Sequence, residues 1–199
     1  MDEIMKILRV ASDLYPTIVG GYGLHVHYMS RLQAKMEQNI TVYTSKTDDR
    51  PCEETVDGYH VLRSRPLMKL YGNSIQPDIL FHLIAHGDEY DMIHAHSHMF
   101  FSTNMCALAR KFKSTPLVVT NHGLRSQTAP KWLNEIFLPT VAKWTFNAAD
   151  RIICYTEEEK TEIVRLGIDP KKIKVIHNGI DTSLFNRPEN KVKNGRILW

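Results

Sequence analysis

A chain of 199 residues lies between one large domain and two small ones, and is long enough to bury a substantial core. With 43% hydrophobic residues, 24% charged residues and a net charge of +3, it is too balanced for a nucleic-acid partner, and no Lys/Arg run interleaves with aromatics. Three cysteines, Cys52, Cys106 and Cys154, form an odd set without a C-x-x-C pair, which excludes a disulfide framework and suits a reducing cytosol.

The opening "MDEIMKILRVASD" carries two acids and too short an apolar run for a signal peptide. No apolar stretch approaches the roughly 20 residues that cross a bilayer. The expectation is a soluble, cytoplasmic protein.

Residues 6–11, "KILRVA", read as a buried strand ended by Ser-Asp. A loop with Gly20, Gly21 and Gly23 follows, then a helix whose Leu24, Tyr28, Leu32 and Met36 predict one apolar face. "NITVYTS" (39–45) and "GYHVLRSR" (58–65) are further strands. Residues 76–90 read as a helix entered at Pro77 and left near Gly87. "YDMIHAHS" (90–97) predicts a strand, 99–113 a helix, and "TPLVVTNHG" (115–123) the most strand-like run of the chain. Residues 131–150 are helical with a kink or break at Pro139. "RIICYT" (151–156) is a strand, and 157–169 a helix with Thr156 as N-cap, acids in the first turn and Gly167 at the C-terminal cap. "KIKVIHNG" (172–179) is a last strand.

Near-continuous apolar strands alternating with helices imply an α/β fold: a Rossmann-like, doubly wound, mostly parallel sheet with helices on both faces. Residues 1–180 form this domain. Residues 181–199 are polar around Pro188 and read as a linker, ending in "RILW", the expected start of a further, missing domain.

In such sheets ligands bind beyond the carboxyl ends of the strands. Four polar clusters fall there: Gly20-Gly21, His94 to His98, Asn121-His122-Gly123, and His177-Asn178-Gly179. Two adjacent glycines at a helix N-terminus admit close approach of an anion, although a tight turn would need them too. Three alternate histidines, His94, His96 and His98, share one face only if the strand stays extended. No carboxylate or cysteine completes a ligand set, so no metal is expected there. His94 and His96 read instead as neutral hydrogen-bonding groups, one of them lining a cleft. His122, at the mouth of the strongest strand, is the sharpest candidate for substrate contact or proton handling. Trp132, Phe137, Trp144 and Phe146 could make a membrane-facing helix surface and peripheral membrane contact, but their spacing reads mainly as core.

"YPTIVGGYGLHV", "DMIHAHS", "VVTNHG", "ADRIICYTEEEK" and "KVIHNGIDTSLF" resemble, in that order, the N-terminal half of the retaining glycosyltransferases of family four, the glycogen-synthase-like GT-B enzymes. The resemblance implies two Rossmann-like domains facing a cleft, the N-terminal one binding the acceptor and a C-terminal one, in cis or trans, gripping the nucleotide-sugar. It implies that Gly20 and Gly21 face the donor phosphates, that His122 lies beside the reacting sugar, and that His96, Gly123 and Asn178 line the substrate cleft. The nucleotide-sugar is then a co-substrate and no cofactor is required. The acceptor, whether carbohydrate, polyol or lipid-linked, is left open, because the loops around residues 65–74 and 124–132 would carry it. A non-catalytic Rossmann-like binding subunit and half of a nucleotide-sugar epimerase are the alternative readings. Histidine and glycine at the loops, in place of extra carboxylates, favour transfer.

Overall fold

The computed structural model describes residues 4–17, 20–46 and 49–179; the linker and terminal strand expected within 181–199 lie outside them. The strands are β1 (Lys6–Val10), β2 (Asn39–Ser45), β3 (Glu53–Val56), β4 (Tyr59–Ser64), β5 (Met68–Leu70), β6 (Asn73–Ile75), β7 (Met92–His96), β8 (Leu117–Thr120), β9 (Arg151–Cys154) and β10 (Ile173–Val175). The helices are α1 (Gly21–Lys35), α2 (Asp78–His86), α3 (Phe101–Ala109), α4 (Lys131–Phe137), α5 (Lys143–Ala148) and α6 (Glu157–Arg165).

Eight strands make one sheet in the order β10-β9-β8-β7-β1-β2-β4-β3. Every pairing in it is parallel except β3 with β4. The chain winds outward from β1 in one direction and then, from β7, in the other, so the topological switch point lies between β1 and β7. In open α/β sheets that is the place where ligands bind. The short hairpin β5–β6 stands apart from this sheet.

Alternate residues of each strand feed two cores. Leu8 and Val10 join the cluster containing Ile79, Leu83, Phe146 and Ile163, whereas Ile7 and Ala11 join Val26, Ile40, Val42 and Val61 on the other face. Burial on both faces explains the unbroken apolar runs.

One sequence expectation needs correcting. The inward stripe of α1 is not Leu24, Tyr28, Leu32 and Met36: Leu32 is 54% and Met36 70% exposed, while Val26 and Ser30 are buried. The helix is rotated because a buried guanidinium beneath it draws Ser30 and Gln33 inward. At Pro139 the regular α-helix is interrupted, as expected. A π-helical turn, Leu138–Ala142, joins α4 to α5, the wider turn absorbing the ring and the missing N–H.

Other expectations hold. Thr156 accepts from the Glu159 amide at 3.2 Å ahead of three glutamates, and Gly167 takes φ +87° just past the end of α6. Phe146 is buried and Phe137 and Trp144 are partly so, but Trp132 is exposed. No helix among the described residues is long and apolar enough to cross a membrane.

Candidate active site

The pleat of the sheet builds the site. Arg9 on β1 is in register with His94 on β7, and His96, two residues on, is in register with Thr120 on β8. All four therefore point to the face that α1 covers. His122 follows Thr120 at the carboxyl edge, and α1 lays Tyr22 and His25 across the opening. Tyr155 enters from the end of β9.

The side chains converge tightly. His96 Nδ1 lies 3.1 Å from His122 Nε2. The Tyr155 hydroxyl is 3.3 Å from His122 Nδ1, 3.4 Å from His122 Nε2 and 3.4 Å from His25 Nε2. Tyr22 packs edge-on to His122 with ring centroids 5.0 Å apart. Its hydroxyl accepts from the Ser12 amide at 3.0 Å and donates to the His96 carbonyl at 3.3 Å. Below them His94 stacks on His96 at 4.4 Å. Beside the crevice, Asp13 after β1 pairs with Lys69 of the hairpin at 3.6 Å, and burial pushes its carboxyl up.

Burial keeps these imidazoles neutral. It holds His122 down at about 3, and His94 and His96 well below the ordinary histidine value, with the Arg9 charge adding to the effect on both. His25 is lowered for the same two reasons. A neutral buried histidine binds its proton more weakly in the folded state. Stability is therefore complete above the ordinary value near about 6.5 and declines as pH falls below it, by about 1.4 kcal/mol per pH unit for each such group. His98, lowered to about 4 by burial, adds to the same window. Urea unfolding at pH 7.5, 6 and 4.5 should show a falling midpoint; a flat profile would mean these rings are protonated in the native state.

The predicted set is brought together only in part. His96 and His122 meet. His98 turns away, its Nδ1–H donating to Asn121 Oδ1 at 3.1 Å, and its ring packs on Phe146 at 4.7 Å. The alternate histidines thus do not share a site. Instead His25, His96 and His122 each bring a ring nitrogen within 4.8 Å of the others, the one such group among the described residues that could hold a metal ion. Gly123 has φ +103°, so its backbone demands glycine whatever it binds. At Gly20 and Gly21 neither applies: φ is not positive, and an added Cβ meets nothing within 4 Å. Gly20 leads into α1 with no side-chain cap and no acid in the first turn. Asn178 lies exposed beyond β10, and its neighbour His177 bonds the Tyr155 carbonyl through Nδ1 at 2.8 Å.

Two members escape a sequence reading. His25 lies within a helix, where alternate His25 and His27 diverge: His27 bonds the Tyr59 hydroxyl at 2.8 Å instead. Tyr155 follows a strand at the same edge as the other clusters, and that position is the signal that could have found it.

A doubly wound α/β domain with a polar crevice at its switch point is the architecture of one half of a GT-B glycosyltransferase. Residues 19–184 match the sequence model of Glycosyltransferase Family 4, and the chain belongs to that family. It is 26% identical over 209 residues to a glycogen synthase of Mycobacterium tuberculosis, covering 90% of this chain and 49% of that protein. The chain thus spans about half the length of this curated relative. Among solved structures, sucrose-phosphate synthase from Thermosynechococcus elongatus superposes with TM-score 0.68 at 17% identity, covering 92% of this chain and 53% of that one. The Anabaena protein HepE, in complex with UDP-glucose, gives 0.62 at 21% identity, covering 91% and 46%. The chain is an N-terminal domain of a family 4 glycosyltransferase.

Proposed function

We propose that this domain forms the acceptor-side wall of a retaining glycosyltransferase, moving a sugar from a nucleotide-sugar onto a hydroxyl acceptor in concert with a C-terminal GT-B domain. The convergence of His25, His96, His122 and Tyr155 at the switch point carries the reading. Neutral imidazoles and phenols suit the hydroxyl-rich, uncharged body of a sugar. Gly21 opens α1, and His25 follows little more than one helical turn later, so first-turn N–H groups lie beside the cluster. Among the described residues nothing lies within 4 Å of a Cβ added at Gly20 or Gly21, which suits the approach of an external diphosphate. A bound UDP-glucose in HepE, a protein of the same fold, agrees with a nucleotide-sugar donor.

On this reading His122 touches the transferred sugar, while backbone N–H groups at Gly20-Gly21 stabilise charge on the departing phosphate. In the two-domain enzyme containing residues 1–199, His122→Ala should lower turnover at least tenfold, about 1.4 kcal/mol of barrier. Gly21→Val should abolish transfer. Gly21→Val should keep the melting temperature of the parent, whereas His122→Ala, which leaves the buried His96 Nδ1–H without its acceptor, should lose far more turnover than stability. Turnover within about threefold of the parent, under ~1 kcal/mol, in either variant would remove that residue from the site.

A further inference from the structure

Arg9 is fully buried, and among the described residues no carboxylate pairs with it. Its Nη1 donates to Ser30 Oγ at 2.8 Å and its Nη2 to Gln33 Oε1 at 2.5 Å, while Nη2 also reaches His94 Nδ1 at 3.5 Å. Burying a charge without a counter-ion is costly, and here burial lowers the guanidinium to about 10. Sugar transfer as described above makes no use of this residue.

A guanidinium only donates, so the His94 nitrogen facing it must carry a lone pair. The His94 proton then sits on Nε2 and is donated to Thr120 Oγ1 at 2.7 Å. His94 lies nearly flat on His96, at an interplanar angle of 26°, which brings His96 under the same positive field. His96 Nε2 is buried without a partner among the described residues. Near a cation, a lone pair on that nitrogen is favoured, whereas an unpaired N–H pointing into the same field would be repelled. The His96 proton belongs on Nδ1, donated to His122 Nε2 at 3.1 Å. His122 Nε2 is thereby occupied as an acceptor and its own proton moves to Nδ1; the Tyr155 hydroxyl lies beside both nitrogens, 3.3 Å from Nδ1 and 3.4 Å from Nε2. That hydroxyl in turn faces His25 Nε2 at 3.4 Å.

We infer that Arg9 is a positioning residue that orders the tautomers of His94, His96 and His122, so that His122 presents an Nδ1–H donor to the cleft. The order stands on contacts within the chain; its use toward a sugar or phosphate oxygen rests on the transfer reading above. His122 then acts as a hydrogen-bond donor to a ligand oxygen, displacing Tyr155, and not as a proton acceptor.

Long-range proton–nitrogen NMR of the ¹⁵N-labelled chain at pH 7.5 reads each ring's tautomer directly. Expected are Nε2–H for His94 and Nδ1–H for His96 and His122. Finding His122 as Nε2–H, or as an exchanging mixture, overturns the inference, and this needs no variant. Arg9→Met should scramble the order and Arg9→Lys keep it; an unchanged pattern in Arg9→Met would show that Arg9 does not set it. None of these outcomes depends on transfer activity, so a failure of the glycosyltransferase reading would be seen separately, in the turnover of the two-domain enzyme.

Discussion

Phe146→Ala should lower the stability of the domain by about 3–5 kcal/mol, the cost of an aromatic deleted from a close-packed core. Phe146 is fully buried in the cluster that includes Leu83, Ala107 and Ile152, and few larger side chains are as completely enclosed. It also props the site from behind. His98 packs on its ring at 4.7 Å and holds Asn121, the residue before His122. Next to it, buried Thr145 accepts from Asn104 Nδ2, which also donates to the His98 carbonyl, at 2.9 Å in both cases. Removing the ring therefore opens a cavity under a hydrogen-bonded network that cannot easily collapse. For a domain of this size the melting temperature should fall by roughly 2–4 °C for each kcal/mol lost. A loss below about 1 kcal/mol would mean that α5 relaxes into the space and that the network holds without its support.

The strands legible in the sequence are those buried on both faces. β1, β7, β8 and β9 are rich in Ile, Leu, Val and Ala because helices cover each side, and the Ser, His and Asn residues that follow them mark where cover stops. The hairpin β5–β6 went unread for the opposite reason: Met68, Lys69 and Leu70 are all exposed, so no buried face imposes a pattern on them. β3, an edge strand pairing only with β4, is equally weakly marked.

On α1 the hydrophobic period pointed the wrong way. Its buried stripe includes Ser30, and Gln33 follows, both turned to a cation that sequence alone does not reveal as buried. The site divides in the same manner. His96 and His122 were visible because strand ends are read directly from apolar runs. His25 and Tyr155 reach the cluster only through the packing of α1 against the sheet and the pairing of β8 with β9. Asn178 shares the carboxyl edge, but β10 is the outermost strand, four places from β1.

A polypeptide of residues 1–199 by itself should fold and should transfer no sugar. The two cores, one on each face of an eight-stranded sheet, are complete within the described residues, so folding does not wait for a partner. Catalysis is different. Holding two substrates in one closed, oriented arrangement can contribute about 7–11 kcal/mol, and it needs groups on both sides of them. The carboxyl edge near β1 and β7 presents neutral rings on one side, His25, His122, Tyr22 and Tyr155, with His96 buried behind them. Such a wall can orient hydroxyls, but an exposed helix N-terminus facing water holds a diphosphate only weakly. Calorimetry of this polypeptide should therefore register nucleotide-sugar binding as weak or undetectable. A transfer assay across a panel of donors and acceptors should stay at background, and a C-terminal GT-B domain supplied in cis or in trans should raise it. Turnover by residues 1–199 alone would overturn the proposal, because neutral imidazoles at a single sheet edge would then suffice both to grip the donor and to exclude water from it.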